Sequence, residues 1–126
     1  MAEKTAAEKL RVKPGMTATI LHAPPGVVEG LGLPDDVTVV GQCEAAQFIL
    51  TFAATQAEAE DRVQEIAVHV RPETVAWIAY PKGGKAAGRD VSRDTIWAFV
   101  RTIGFDLVGN VSIDDTWSAL RLRPAK

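Results

Sequence analysis

Six short apolar runs, most of them closed by proline, glycine or aspartate, limit what this chain can fold into. Thr17–His22 (TATILH), Val37–Val40 (VTVV), Gln47–Phe52 (QFILTF) and Thr74–Tyr80 (TVAWIAY) are rich in β-branched, aromatic and aliphatic residues and have the length of strands. The first stops at Ala23-Pro24-Pro25-Gly26 and the fourth at Pro81-Lys82-Gly83-Gly84. Phe105–Ile113 and Trp117–Arg123 are joined by Asp114-Asp115-Thr116, where aspartate side chains can bond nearby amides. These last two runs therefore form an antiparallel hairpin.

Helix signals fall between the strands. A short helix is expected within residues 1–13. Val27–Leu31 is opened by the proline pair and closed by Gly32. Thr55-Gln56-Ala57-Glu58 fits a capping box, in which Thr and Glu satisfy each other's backbone amides. Behind it Ala59, Val63, Ile66, Ala67 and Val70 recur at spacings of three and four, with Glu58, Glu60, Asp61, Arg62, Gln64 and Glu65 opposite, until Pro72 ends the helix. Ser92 caps a further helix with Asp94 in its first turn, Ile96, Val100 and Ile103 as its buried stripe and Gly104 after its end. Strands alternating with helices imply right-handed crossovers and a mostly parallel sheet covered on both faces. The expected class is a three-layer α/β sandwich closing in a C-terminal antiparallel hairpin, one domain over residues 1–126.

Composition excludes several functions. Hydrophobic residues make up 47% and charged residues 24%, far from the profile of a disordered chain. Fourteen Lys plus Arg against sixteen Asp plus Glu gives 14 − 16 = −2, so no global basic field favours nucleic acid. Arg121, Arg123 and Lys126 make the C-terminus basic, but without the interleaved aromatics of a nucleic-acid groove. Cys43 is the single cysteine, which rules out an intrachain disulfide, a Cys-rich zinc site and a CxxC pair and suits a reducing cytoplasm. Glu44 beside it should raise its pKa, and no metal is expected. MAEKTAAEKLRVKPG lacks the apolar core of a signal peptide, and the run around Ala45–Ala54 is far shorter than the roughly 20 residues of a membrane span.

The order of elements, ending in an antiparallel hairpin after the last helix, resembles the core of class I S-adenosylmethionine-dependent methyltransferases, shortened between its second strand and Gln47–Phe52. LRVKPGMTATILHAPPG, TVAWIAYPKG, SRDT and DDTWSALRLRP also resemble a family of small bacterial proteins of unknown function, with YPKG and DDTWSALR the most specific phrases. That resemblance spans nearly the whole chain and implies a fold without an activity. The methyltransferase resemblance implies a glycine-rich loop after the first strand and an acid ending the second to hold ribose. Pro24 and Pro25 instead remove two amide donors. The second strand ends at Gly41-Gln42, leaving Gln42 or Glu44 as the substitutes for the acid. S-adenosylmethionine is thus disfavoured, and no cofactor is expected.

Open α/β sheets bind ligands outside the carboxyl ends of their parallel strands. On that rim fall His22, Tyr80, Lys82, Asp114, Asp115 and Trp117. The segment Lys82-Gly83-Gly84-Lys85 through Arg89 to Arg93 brings four cations and flexible glycines to a helix N-terminus, an arrangement that suits a phosphate or carboxylate. Its spacing does not match GxxxxGK[ST]. The alternative for this segment is a solvated loop neutralised by Asp90 and Asp94. Asp114 and Asp115 have turn chemistry as their alternative, His22 and Trp117 have packing, and His69 is a surface residue without a role. The leading expectation is a non-catalytic methyltransferase-like domain that binds a small anionic ligand or a protein partner at this rim. The alternatives are a divergent methyltransferase or acid–base enzyme using His22 and Asp115, and a scaffold or homodimer formed through an edge strand.

Overall fold

The alternation of apolar runs and capped helices produces, in a computed structural model describing residues 5–125, a single six-stranded sheet between two helical layers. The side chain of Lys85 lies outside the described residues, as do residues 1–4 and Lys126. The strands are β1 (Thr17–Leu21), β2 (Thr38–Val39), β3 (Phe48–Phe52), β4 (Val75–Pro81), β5 (Phe105–Ser112) and β6 (Trp117–Pro124), in the order β2-β1-β3-β4-β6-β5. β2, β1, β3 and β4 are mutually parallel, and β6 runs antiparallel to both β4 and β5. All six expected strands form, with ends shifted by a residue or so. Every residue of β3 and β4 is buried, as near-continuous apolar runs require when a strand is covered on both faces.

Helices α1 (Ala6–Lys9) and α2 (Val27–Gly30) cover one face, and α3 (Gln56–Ala67) and α4 (Arg93–Thr102) cover the other. Phe48, Leu50, Phe52, Trp77 and Ala79 pack toward α1 with Leu10 and Leu31, whereas Ile49, Ile78, Tyr80, Leu120 and Leu122 pack toward α3 and α4 with Val63, Ile66, Ile96 and Val100. This split is the period-two alternation of strand side chains. α1 starts at a reciprocal box, Glu8 amide to Thr5 Oγ1 at 3.1 Å and Thr5 amide to Glu8 Oε1 at 3.2 Å. α4 starts at Ser92 as expected, with Thr95 closing the box.

Four details depart from expectation. At α3 the Thr55 hydroxyl accepts from the Glu58 amide, but Glu58 Oε1 accepts from the Ala54 amide at 2.8 Å instead of from Thr55, so its carboxylate braces the strand exit. The same helix stops at Ala67 instead of continuing to Pro72, because Arg71 and Thr74 form a turn that delivers Val75 into β4. Ile103 is the half-exposed cap of α4 and lies outside the buried stripe, since the chain already turns away at Gly104. β5 carries a bulge: Leu107 pairs with Leu122 but Asn110 pairs with Leu120. The extra residue flips the strand's faces, so Phe105 and Leu107 point toward α4 while Val111 and Ile113 point toward α1. An edge bent in this way, opposite a two-residue β2 at the other edge, is poorly suited to pairing with a second sheet.

A buried hydrogen bond adds to the packing between the first helical layer and the sheet: Trp77 Nε1 donates to the Leu10 carbonyl at 2.8 Å. Leu10 is fully buried, so removing the donor strands its carbonyl away from water. Trp77→Phe is expected to lower unfolding free energy by about 1–3 kcal/mol in urea titrations. A change below about 0.5 kcal/mol would mean that packing alone holds α1.

Candidate functional site

The winding of the sheet reverses between β1 and β3. From β1 the chain moves through α2 to β2 on one side, whereas from β3 it moves through α3 to β4 on the other, with the two helices on opposite faces. Such a reversal opens a crevice above the carboxyl ends of the two strands. A depression of about 200 Å³ occupies this place, lined by His22 and Pro24 after β1, Phe52, Ala53 and Ala54 at the end of β3, Glu58 and Arg62 on α3, and Trp117 from the hairpin. Trp117 meets Phe52 edge to face, with ring centroids 5.3 Å apart. Trp117 thus packs the hairpin and walls the depression at once. Pro25 lines a second depression of about 320 Å³ with Gly26, Val27, Gly30, Ile113 and Asp114, so consecutive prolines face two different hollows.

The expected rim residues do not converge. His22 adopts a left-handed backbone (φ 59°) and its Nε2 lies 3.0 Å from Glu65 Oε1, a partner on α3 that the sequence does not single out. No hydrogen bond joins it to Asp114 or Asp115. Asp114 Oδ1 accepts from the Thr116 and Trp117 amides, each at 2.8 Å, which is turn chemistry. Asp115 is exposed in the same turn. The acid–base pairing of His22 with Asp115 is therefore not assembled.

The cationic loop is likewise engaged with its own chain. Lys82 Nζ donates to Ser112 Oγ at 2.6 Å, binding the end of β4 to the end of β5. Gly83 and Gly84 have positive φ and lead into a 3-10 turn, Gly84–Ala87, in which a Cβ on Gly83 would collide with Ala87. Arg93 reaches Asp94 at 3.5 Å, Asp90 accepts from the Gln56 amide at the start of α3, and Arg89 is exposed. Lys85's side chain lies outside the described residues. Arg93, at the end of the segment, lines a depression of about 250 Å³ with Trp97 and Leu107.

Glu44 lines a hollow with Met16, Gln47 and Thr74 at the opposite, amino end of the strands, away from the rim. Gln42 gives its carbonyl to the Thr19 hydroxyl at 2.8 Å. The residue that sequence reasoning missed is Arg62. It belongs to the polar side of α3, yet its side chain is only 19% exposed, and its Nε is shielded from solvent with no hydrogen-bond partner. Its Nη1 rests on Asp61, which is 77% exposed. Only the fold, which brings residues 22, 52 and 117 beside it, could reveal this.

Burial raises the Tyr80 phenol above its ordinary 10.0, with a hydrogen bond to Ser118 and the charge of Arg93 opposing the shift. Burial, and then Glu65 and Glu44, raise the Cys43 thiol. Neither group is poised as a base or nucleophile near neutral pH.

The architecture matches solved structures. The ribosomal protein L11 methylase from Lactobacillus delbrueckii subsp. bulgaricus aligns with TM-score 0.57 at 11% identity, covering 96% of this chain and 75% of the methylase. The mitomycin 7-O-methyltransferase MmcR aligns with TM-score 0.58 at 13% identity, covering 95% and 53%. A point mutant of MtNAS in complex with S-adenosylmethionine aligns with TM-score 0.55 at 20% identity, covering 95% and 59%. The chain thus spans little more than half the length of the last two. No protein-family model and no curated protein matches the sequence. The fold is a Rossmann-like methyltransferase fold, mostly parallel with a C-terminal antiparallel hairpin.

The chain's only tyrosine makes its titration readable. A phenol raised on folding stabilises the native state below its unfolded pKa and loses that contribution as pH rises through the folded value. Absorbance titration should therefore give a midpoint above 10.0 in the native protein and an ordinary one in denaturant. Coincident midpoints would contradict the burial of Tyr80. Native Cys43 should react with a thiol reagent at least about tenfold more slowly than the unfolded chain at equal pH.

Proposed function

We propose that this chain is a non-catalytic methyltransferase-like domain that binds a small anionic ligand at the carboxyl-end rim of its sheet. The observation carrying this reading is Arg62: a guanidinium with a solvent-shielded, unpartnered Nε lining the crevice where folds of this class hold ligands. An unsatisfied buried N–H costs free energy that an anionic acceptor would return. The surface contact with Asp61 is weak competition.

Several features argue against a nucleoside cofactor and methyl transfer. A depression of about 200 Å³ is below the roughly 300–1,000 Å³ of ordinary cofactor and drug sites. Pro24 and Pro25 take the place of amide donors, and the link after β2 carries Glu44 away from the rim. The loop from Lys82 to Arg93, with Gly83, Gly84, Lys85 and Arg89, supplies a positive field beside the rim that would draw an anion in without holding it.

Thermal unfolding with inorganic phosphate, acetate, larger carboxylates, S-adenosylmethionine and S-adenosylhomocysteine tests this. A ligand of the native state adds about 2.7 kcal/mol at a hundred times its Kd. The expected result is a rise in Tm with a carboxylate or phosphate that Arg62→Ala abolishes and Lys82→Ala leaves in place. Shifts confined to the S-adenosyl compounds would overturn the reading in favour of a divergent methyltransferase. A phosphate shift abolished by Lys82→Ala with Arg93→Ala, but unaffected by Arg62→Ala, would overturn the role of Arg62 and move the site to the loop.

A further inference from the structure

Arg62 does not face the rim alone. Glu58 lies four residues before it on α3, hence on the same side of the helix, and both line the depression above β1 and β3. Opposite charges at this spacing ordinarily pair with each other. Here they do not: Glu58 Oε1 is held by the Ala54 amide at 2.8 Å, and Arg62 leans on Asp61 at 3.0 Å. Glu58 Oε2 and the Nε side of Arg62 are left without hydrogen-bond partners among the described residues. The rest of the lining is His22, whose Nε2 is engaged by Glu65 at 3.0 Å, and the apolar Pro24, Phe52, Ala53, Ala54 and Trp117.

A ligand that fits this hollow must offer an anion to Arg62 and a cation to Glu58, and present carbon to the aromatic wall. A simple carboxylate would meet Arg62 but leave its own charge facing Glu58, at an electrostatic cost. A nucleotide would add like charge and exceed the volume. We infer that the rim ligand is a free α-amino acid with an apolar side chain. Its carboxylate sits on Arg62, its ammonium on Glu58 Oε2, and its side chain between Pro24 and the Phe52–Trp117 pair. The two charged groups of an α-amino acid are separated by one carbon, which suits acceptor and donor one helical turn apart. Offering the Nε edge of Arg62 to a carboxylate requires the guanidinium to turn away from exposed Asp61 and uncover Nε. The planar fork then binds both carboxylate oxygens.

This inference rests on the reading of the rim as a ligand site, and matched probes separate the two. Isothermal titration would compare L-leucine with isocaproate, which lacks the ammonium, and isoamylamine, which lacks the carboxylate; L-methionine and L-phenylalanine would extend the series. L-Leucine, L-methionine or L-phenylalanine should bind, and for a binder such as L-leucine each deletion should weaken binding by about tenfold or more. Glu58→Gln keeps the acceptor for the Ala54 amide and removes the charge. It should bring L-leucine and isocaproate to equal affinity. Arg62→Lys, which keeps charge but lacks the fork, should weaken both. Isocaproate binding the native protein as tightly as L-leucine would overturn the amino-acid assignment while leaving an anion site at Arg62. Failure of every amino acid, with phosphate or acetate still raising Tm through Arg62, would do the same. Failure of all these probes together with loss of the Arg62-dependent thermal shift would overturn both. Chemical-shift change at the Trp117 indole on adding L-leucine is the expected signature of the site, and a change confined to Trp97 would place the ligand elsewhere.

Discussion

The parallel pairing of β1 with β3 governs everything at the rim. One residue largely fixes it: Gln47 donates its amide to the Thr17 carbonyl at 2.8 Å, accepts from the Thr17 amide through Oε1 at 3.0 Å, and gives its carbonyl to the Val75 amide at 3.0 Å. The starts of β1, β3 and β4 are thereby held in register by a single side chain and its peptide units. Because β1 and β3 send their helices to opposite faces, this register also determines where the crevice opens. With β1 and β3 in contact, His22, Phe52 and Arg62 become neighbours although forty residues separate the first and last.

The link from β2 to β3 imposes a second constraint. Only the eight residues Val40–Gln47 connect Val39 to Phe48. A crossover between parallel strands ordinarily takes a dozen or more residues and a helix. The chain instead crosses β1 directly, pinned by the Thr19 hydroxyl on the Gln42 carbonyl, and covers the sheet with Cys43 and Ala46. Burial of Cys43 follows from this path, as does the turn of Glu44 toward the amino ends of the strands. The feature that shortens the fold is therefore the one that removes the acid from the rim.

Much of the architecture was legible because its causes are local. Ser92 and Thr55 cap helices through atoms three residues away, and Asp114 organises its own turn. The mostly parallel sheet followed from alternation, and the hairpin from its short connection. What was not legible depends on contacts distant in sequence. The end of α3 is decided by where β4 must begin, and the face change in β5 by a bulge that no alternation pattern announces. The partners of two rim candidates were likewise out of the sequence's reach, His22 meeting Glu65 and Lys82 meeting Ser112. Arg62 looked like one more charge on a solvated helix face. Its neighbours come from β1, β3 and the last hairpin, so only the assembled sheet reveals it.

Charge accounting at the rim then narrows the chemistry further. Lys82, Arg89 and Arg93 lie in solvent or on internal partners, where screening leaves little beyond long-range attraction. Arg62 and Glu58 stand against apolar walls, where the same charges interact more strongly and are costlier to leave unmatched. A fold that only required a stable surface would let these two groups pair, since they are one turn apart. The Ala54 amide holds Glu58 toward the strand exit and Asp61 draws the Arg62 guanidinium, so the two opposite charges face the hollow without pairing. In the proposed site it is this separation of Glu58 from Arg62, more than the charge of either, that would select a zwitterion.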